Sequence, residues 1–168
     1  TLLSPAYADQ LRAGIDPDKA TPLADIEPLA ELAESSDTTH LSVLDKDGNA
    51  VSLTYTINGY FGNGRVAGDT GFLLNNEMGD FTAKPGVANI FGLVQGQRNA
   101  VEPGKQPLSS MSPTIVKKDG EVFLVLGSPG GSRIITIVLQ TIINIIDFNM
   151  NLAEATNAPR THNQWLPD

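Results

Sequence analysis

A threonine pair followed by a histidine, Thr38-Thr39-His40, stands where an acidic, proline-rich stretch changes into an alternating polar and apolar pattern. A threonine hydroxyl is a poor nucleophile unless a base lies beside it. If the peptide bond before Thr38 is cut, the free α-amine of that residue can act as the base, because its pKa of about 8 leaves part of it unprotonated at neutral pH. The same logic applies to Thr39 or Ser36, and the triplet taken alone is more typical of a strand start.

Two carboxylates, Glu77 and Asp80, lie three positions apart in the polar segment LLNNEMGDF (73–81). Two anions at this spacing suit an ammonium group, although the segment also fits an ordinary solvated loop. A carboxylate pair of the glycosidase type is disfavoured, because Trp165 is the only tryptophan and no aromatic platform for a sugar is evident.

Three serines precede a predicted strand in PLSSMSPT (107–114). None lies in a Gly-x-Ser-x-Gly elbow, which disfavours a serine nucleophile. The adjacent hydroxyls of Ser109 and Ser110 suit hydrogen bonding to a carboxylate. A turn capped by serine hydroxyls explains the pattern equally well.

The stretch GSPGGSRII (127–135) ends a predicted strand and opens a predicted helix. Glycines there let backbone amides turn outward, and the helix N-terminus adds partial positive charge. This combination predicts an anion or oxyanion site. The phosphate-loop pattern is absent, because no lysine follows the glycines. The alternative is a tight turn with Ser132 as the helix cap.

The elements that must position these residues follow from periodicity and turn signals. Strand alternation in THLSVL and AVSLTYTI, on either side of the turn DKDGN, predicts a β-hairpin directly after Thr38. PTIVKKDGEVFLVLG predicts a second hairpin that turns at Asp119-Gly120. Residues 58–112 are rich in Gly, Asn and Pro and lack a period, which indicates functional loops.

Helices are predicted at both ends of the chain. Residues 2–13 fit a helix closed by Gly14, and an extended linker is expected from there to Asp37. A long helix is predicted over 132–149, followed by the short helix LAEATNA, which stops at Pro159.

Composition excludes several classes of function. A net charge of −8 with only 11 Lys+Arg argues against a nucleic-acid surface. The absence of cysteine removes thiol catalysis and disulfides, and His40 and His162 stand too far apart to suggest a metal; no cofactor is expected. The most apolar stretch, 134–146, is shorter than the about 20 residues that a membrane span needs.

Together these segments closely resemble the γ-glutamyltransferase (γ-glutamyl transpeptidase) family, particularly its bacterial members. The matching blocks follow the family order and cover nearly all of residues 38–168; they are TTHLSVLDKDGNAVSLTYTIN, GFLLNNEMGDF, PLSSMSPTIV, GSPGGSRIIT and EATNAPRTHNQWLPD. Residues 1–37 resemble the tail of the family's large subunit. We therefore expect an α+β chain that supplies part of the αββα sandwich of the N-terminal nucleophile hydrolases.

The resemblance implies a precursor that cuts itself between Asp37 and Thr38 and pairs its large and small subunits. Residues 38–168 would be the small, catalytic subunit, without its last stretch. Thr38 would then attack the γ-glutamyl amide of glutathione or a related compound. The group would pass to water or to an amino acid or dipeptide acceptor.

The family also assigns roles to other positions. Thr56 matches the residue that braces the nucleophile, and Gly130 and Gly131 match the oxyanion-hole amides. Substrate-binding roles fall on two sets. Asn58, Glu77 and Asp80 would hold the α-amino end, and Ser109 and Ser110 the α-carboxylate.

Three positions depart from the usual family pattern. Residues 83–105 resemble the family's lid over the substrate, and we call them the lid segment; within it, Phe91 stands where relatives have tyrosine. Gly79 stands where relatives often have a second aspartate, and Asp37 where they often have an amide. The family arginine that pairs with the substrate carboxylate belongs to the large subunit. Bacterial relatives are commonly periplasmic or secreted, so the resemblance implies the same location for this protein.

Two alternatives remain from the sequence. A related acylase that removes a glutaryl-like side chain has no ammonium group for Glu77 and Asp80 to meet. An uncut fragment would be an inactive, structural half of a larger assembly.

Overall fold

The computed structural model describes residues 4–13 and 38–164. Helices and strands are mixed along the chain, so the predicted α+β class is confirmed. The helices are α1 (Pro5–Ala13), α2 (Ile134–Ile146) and α3 (Leu152–Asn157), and the strands are β1 (Thr39–Leu44), β2 (Ala50–Tyr55), β3 (Thr114–Lys118) and β4 (Glu121–Leu126). The expected closure by Gly14, the linker up to Asp37 and Trp165 lie outside the described residues.

The first hairpin pairs β1 with β2 in antiparallel register, with Thr39 opposite Tyr55 and Leu44 opposite Ala50. Asp45 closes the connecting turn, because its side chain accepts from the backbone amides of Asp47 and Asn49. Both strands were expected from the alternating pattern. β2 ends at Tyr55, two residues earlier than the predicted strand.

The two faces of this hairpin have opposite chemistry. Its polar face packs against β4, where Ser42 and Ser52 donate to the carbonyls of Val125 and Leu126 at 3.0 and 2.9 Å. The opposite face is apolar and exposed in this chain, and we call it the apolar hairpin face. Its members are Leu41, Val43, Val51, Leu53 and Tyr55.

The second hairpin pairs β3 with β4 and turns at Asp119 and Gly120, as predicted. Both turn residues have positive φ, 54° and 89°. This is the conformation of the two-residue turns that match the twist of antiparallel strands. A register shift between Val116 and Lys117 leaves one extra residue, Phe123, on β4.

Residues 58–112, predicted to be loops, contain no regular strand and two short 3₁₀ turns, Glu77–Asp80 and Gln97–Asn99. Isolated backbone bridges, such as the one between Val66 and Leu73, and side-chain hydrogen bonds hold this region. Thr82, which is buried, donates to the carbonyl of Gly96 at 2.9 Å, and Asn99 donates to the carbonyl of Asp80 at 2.6 Å. The loops therefore have a defined shape.

Helix α2 begins two residues later than predicted, because Gly131–Arg133 forms a separate 3₁₀ turn. Ile134 and Val138 form its buried stripe, and α3 packs against the same helix. Asn151 and Glu154 make a reciprocal capping box at the start of α3. Within 4–13 and 38–164, no helix has both the length and the apolar content to cross a bilayer.

Candidate active site

One pocket brings together most of the residues that the sequence marked for chemistry. It lies between the open end of the first hairpin, the 3₁₀ turn at Glu77, the serine segment and the start of α2. The predicted residues that line it are Thr38, Thr56, Asn58, Glu77, Asp80, Phe91, Ser109, Ser110 and Gly131. Gly130 adjoins the pocket without lining it, and Asp37 lies outside the described residues.

Strand register explains how Thr38 meets Thr56. Thr39 pairs with Tyr55, so the residues immediately beyond each strand, Thr38 and Thr56, come to the same end of the hairpin. Thr38 is partly buried there. The hydroxyl of Thr56 accepts the backbone amide of Asn58 at 2.9 Å, which turns the chain away from the sheet.

Asn58 is 4% exposed and has a φ of 76°, a conformation that asparagine tolerates better than most residues. Its Nδ2 donates to the carbonyl of Asn76 at 3.2 Å and to Oδ1 of Asp80 at 3.4 Å. Both amide hydrogens are thus used inside the protein. The Oδ1 atom of Asn58 remains as an acceptor beside Glu77 and Asp80.

The two carboxylates of the 3₁₀ turn interact with each other. Burial, followed by a hydrogen bond to Asp80 and the charge of that residue, raises the pKa of Glu77 to about 7. An incoming cation would relieve this repulsion. Two carboxylates and the Oδ1 of Asn58 therefore form a cluster that suits an ammonium group.

The serine segment forms a turn capped by a serine hydroxyl, one of the two interpretations of its sequence. Ser109 accepts the backbone amide of Met111 at 3.2 Å, which is a serine-capped turn. Ser110 donates to the carbonyl of Gly131 at 2.9 Å and so ties this segment to the glycine turn. Both serines still line the pocket, where a carboxylate is expected.

The glycine turn has the backbone that only glycine adopts readily. Gly130 and Gly131 have φ values of 133° and 55°. Ser132 does not cap the helix that follows; its hydroxyl donates to Oε1 of Gln164. The ring of Phe91 lies against the turn, since a Cβ on Gly131 would stand 3.6 Å from it.

The structure adds residues that the sequence did not mark. Asn76 accepts the backbone amide of Gly59 at 2.8 Å and so closes the loop around Asn58. His40 bonds through its two ring nitrogens to Thr54 and Ser42, and burial lowers its pKa. Asn89 lines the pocket from the lid segment. In the sequence, Asn89 is marked only by its position three residues before Gly92, because Asn followed by Gly at this spacing is common in turns.

Comparisons with known proteins agree with this geometry. The family model described as gamma-glutamyltranspeptidase matches residues 1–168. The glutathione hydrolase proenzyme of Escherichia coli (strain K12) is 63% identical over 169 residues, which span 99% of this chain and 29% of that protein. The glutathione hydrolase proenzyme of Pseudomonas sp. (strain A14) is 57% identical, with the same shares covered. The chain thus spans less than a third of these curated relatives.

Among solved structures, a mutant of Helicobacter pylori gamma-glutamyltranspeptidase superimposes with a TM-score of 0.74. It is 65% identical, and the match covers 77% of this chain and 70% of that one. The fold is therefore that of an N-terminal nucleophile hydrolase, as expected. By the match over its whole length and the identity to these proteins, the chain belongs to the gamma-glutamyltranspeptidase family.

Proposed function

We propose that this chain carries the catalytic site of an enzyme that hydrolyses γ-glutamyl amides, glutathione among them, and transfers the γ-glutamyl group to amino acids or dipeptides. One observation carries the proposal. A threonine at the start of a strand shares a single pocket with an acidic cluster, a serine pair and a glycine turn. The threonine can act as the nucleophile. The acidic cluster, the serine pair and the glycine turn can bind an ammonium, a carboxylate and an oxyanion, respectively. The similarity to glutathione hydrolase proenzymes supports the same reaction.

Maturation supplies the base. Cleavage between Asp37 and Thr38 would release the α-amine of Thr38, which is partly neutral near pH 7 because its pKa is about 8. That amine takes the proton of the Thr38 hydroxyl as the oxygen attacks the γ-carbonyl carbon. Thr56, opposite Thr38 in the hairpin, orients the nucleophile.

The first half-reaction exchanges an amide for an ester. The carbonyl oxygen becomes an oxyanion held by the amides of Gly130 and Gly131, each such donor being worth on the order of 3 kcal/mol. The proton then passes to the leaving nitrogen, and the carbon–nitrogen bond breaks. A γ-glutamyl ester on Thr38 remains.

The second half-reaction regenerates Thr38. Water attacks the ester and releases glutamate, or an amine attacks and leaves as a new γ-glutamyl compound. The ammonium of the glutamyl group lies among Asn58, Glu77 and Asp80 throughout. Ser109 and Ser110 line the end of the pocket that receives its carboxylate.

The remaining partner is the large subunit cut from the same precursor, with residues 1–37 as its tail and 38–168 as the small subunit. The apolar hairpin face supports this partner, because contiguous exposed apolar surface marks a contact that another chain covers. Periplasmic or secreted residence is proposed from the family resemblance.

Thr38→Ala in the full-length protein tests the proposal, with Thr39→Ala as the matched control, since Thr39 is exposed on β1. We expect Thr38→Ala to stay in one piece on a denaturing gel and to release no p-nitroaniline from γ-glutamyl p-nitroanilide. Thr39→Ala should mature and turn over normally. Normal maturation of Thr38→Ala, or loss in Thr39→Ala alone, would place the nucleophile elsewhere.

A further inference from the structure

Asn89, in the lid segment, carries a buried polar atom that has no partner among the described residues: its amide nitrogen, Nδ2. The oxygen of the same amide is fully engaged. It accepts the backbone amides of Phe91 at 2.9 Å and Leu93 at 3.0 Å. Two N–H donors that converge on one atom identify that atom as the oxygen, so the amide cannot be turned over.

This side chain therefore has two separate ends. Its oxygen holds the 89–93 turn, which the backbone reinforces by bonds between Asn89 and Leu93 and between Gly92 and Asn89. The turn places the ring of Phe91 against Gly131. Its nitrogen contributes nothing to the turn, and buried donors without partners are rare in folded proteins unless a ligand or water completes them.

Asn89 lines the pocket that also holds Thr38, Glu77 and Ser109. On its other side it borders a second cavity, whose lining is mainly apolar and whose charged member is Lys84. An amide donor finds partners in a polar pocket and few in an apolar one. Of the two cavities, the pocket with Thr38 offers the more polar surroundings for Nδ2.

The hydrogen-bonding groups of that pocket are unevenly divided between its ammonium end and its serine end. Its ammonium end has three acceptors, the carboxylates of Glu77 and Asp80 and the Oδ1 of Asn58. Within this chain its serine end is poor in donors, because Ser110 gives its hydrogen to the carbonyl of Gly131. Ser109 is thus the one serine of the pair whose hydrogen is available to a carboxylate.

We propose that Nδ2 of Asn89 donates a hydrogen bond to the α-carboxylate of the γ-glutamyl group, which makes Asn89 a substrate-binding residue of the lid. The inference rests on the proposed function. It adds a carboxylate contact from within this chain to the serine pair, and it gives the lid a part in recognising substrate as well as covering it.

Asn89→Asp in the full-length, matured protein replaces the amide donor with an anionic acceptor of the same shape. Aspartate keeps an oxygen for the amides of Phe91 and Leu93, and it puts an oxygen where the NH₂ group was. Three p-nitroanilides separate the two ends of the substrate: γ-glutamyl, glutaryl, which lacks the ammonium, and 4-aminobutyryl, which lacks the α-carboxylate. Glu77→Gln is the matched control at the ammonium end.

We expect Asn89→Asp to lower kcat/KM at least about tenfold for the γ-glutamyl and glutaryl anilides, chiefly through KM, since a hydrogen bond to a charged group is lost. The 4-aminobutyryl anilide should change less than about twofold. Glu77→Gln should instead lower kcat/KM for the two anilides that carry the ammonium, γ-glutamyl and 4-aminobutyryl, and leave the glutaryl anilide unchanged. Where turnover of a truncated anilide is too slow, competitive inhibition by glutamate and by 4-aminobutyrate gives the same comparison.

An equal loss on all three anilides would overturn the inference, because it would make Asn89 a purely structural residue of the turn. No change on any of them would overturn it as well and would leave water as the partner of Nδ2. Failure of the unmodified protein to release p-nitroaniline would reject the proposed function instead, so the two failures are distinct.

Discussion

The imidazole of His40 occupies the space that a side chain on Gly127 would need. A Cβ built on Gly127 would stand 2.2 Å from both Nδ1 and Cε1 of the ring. Gly127 is the residue after β4, and His40 lies on β1. The absence of a side chain at 127 thus lets the strand that follows Thr38 approach the strand that leads into the glycine turn.

The hydrogen bonds of the His40 ring identify which of its nitrogens carries the hydrogen. Ser42 gives its one hydrogen to the carbonyl of Val125, so it accepts from Nε2–H of His40 at 3.0 Å. Nδ1 is then the acceptor of the Thr54 hydroxyl at 2.8 Å. Burial lowers the pKa of His40 and so favours the neutral ring that this arrangement uses.

Gly127→Ala should therefore destabilise the protein through His40. We expect the free energy of unfolding to fall by about 1–3 kcal/mol, the usual cost of forcing an extra carbon into a packed site. Urea denaturation of the full-length protein measures it. The double variant His40→Ala/Gly127→Ala removes the clash, so its loss should be smaller than the sum of the single losses. Strict additivity would show that the methyl group is accommodated elsewhere.

Glu77 should make substrate binding depend on pH. Its pKa is raised to about 7, so below that pH the carboxyl is protonated and must lose its proton to meet an ammonium. We expect KM for a γ-glutamyl anilide to fall as pH rises through about 7. Glu77→Gln should raise KM and remove this dependence. A KM that is flat from pH 6 to 8 in the unmodified protein would count against the ammonium site.

The same carboxyl affects stability with a defined sign. Its pKa in the folded state lies above the ordinary 4.5, so the folded state binds the proton more tightly than the unfolded state. Its contribution to stability is greatest below pH 4.5 and is lost as pH rises from there to about 7. Glu77→Gln should lessen the fall in melting temperature over this range. A larger fall in the variant would contradict the sign.

Gly131→Ala should impair turnover while the fold persists. The φ of 55° strains any residue with a Cβ, and relief of that strain rotates the amide proposed to hold the oxyanion. We expect kcat to fall at least about tenfold, as loss of an oxyanion donor does. Gly96→Ala is the control, because a Cβ there meets nothing within 4 Å. Equal activity of the two variants would remove Gly131 from the mechanism.

Thr56→Val should reveal the contribution of the Thr56 hydroxyl, because the shape of the side chain is kept. Valine fills the same volume but accepts no hydrogen bond, which leaves the amide of Asn58 without its partner at 2.9 Å. We expect a loss of about 1–3 kcal/mol in unfolding free energy together with reduced kcat. Thr56→Ser keeps the acceptor and should retain most of both. Similar losses in both variants would point to the methyl group instead.

The hairpins could be predicted because their determinants are local. Period-two alternation and the turns at Asp45–Asn49 and at Asp119-Gly120 lie within a few residues of the bonds they direct. Element ends were less accurate, because distant contacts decide them. β2 ends early where Asn58 takes a positive φ, and α2 begins late where Ser132 bonds to Gln164.

The alternating pattern does not predict which face of the first hairpin is covered. Alternation indicates that one face differs from the other, and the usual inference is that the apolar one points inward. Here the polar face, with His40 and Ser42, packs against β4 through hydrogen bonds between the two hairpins. The apolar hairpin face is exposed in this chain and is the face proposed to contact the large subunit.

The amino-acid sequence determined the chemical groups of the site: a threonine after an acidic stretch, two carboxylates three apart, adjacent serines and a glycine pair. It also determined the family, since these groups recur in a fixed order. Only the tertiary structure decided that they line one pocket, that Gly127 makes room for His40, and that Asn89 has a donor to spare. The physical reason is that spacing along a chain specifies local bonds, whereas proximity across 20 to 100 residues depends on how the loops and hairpins pack.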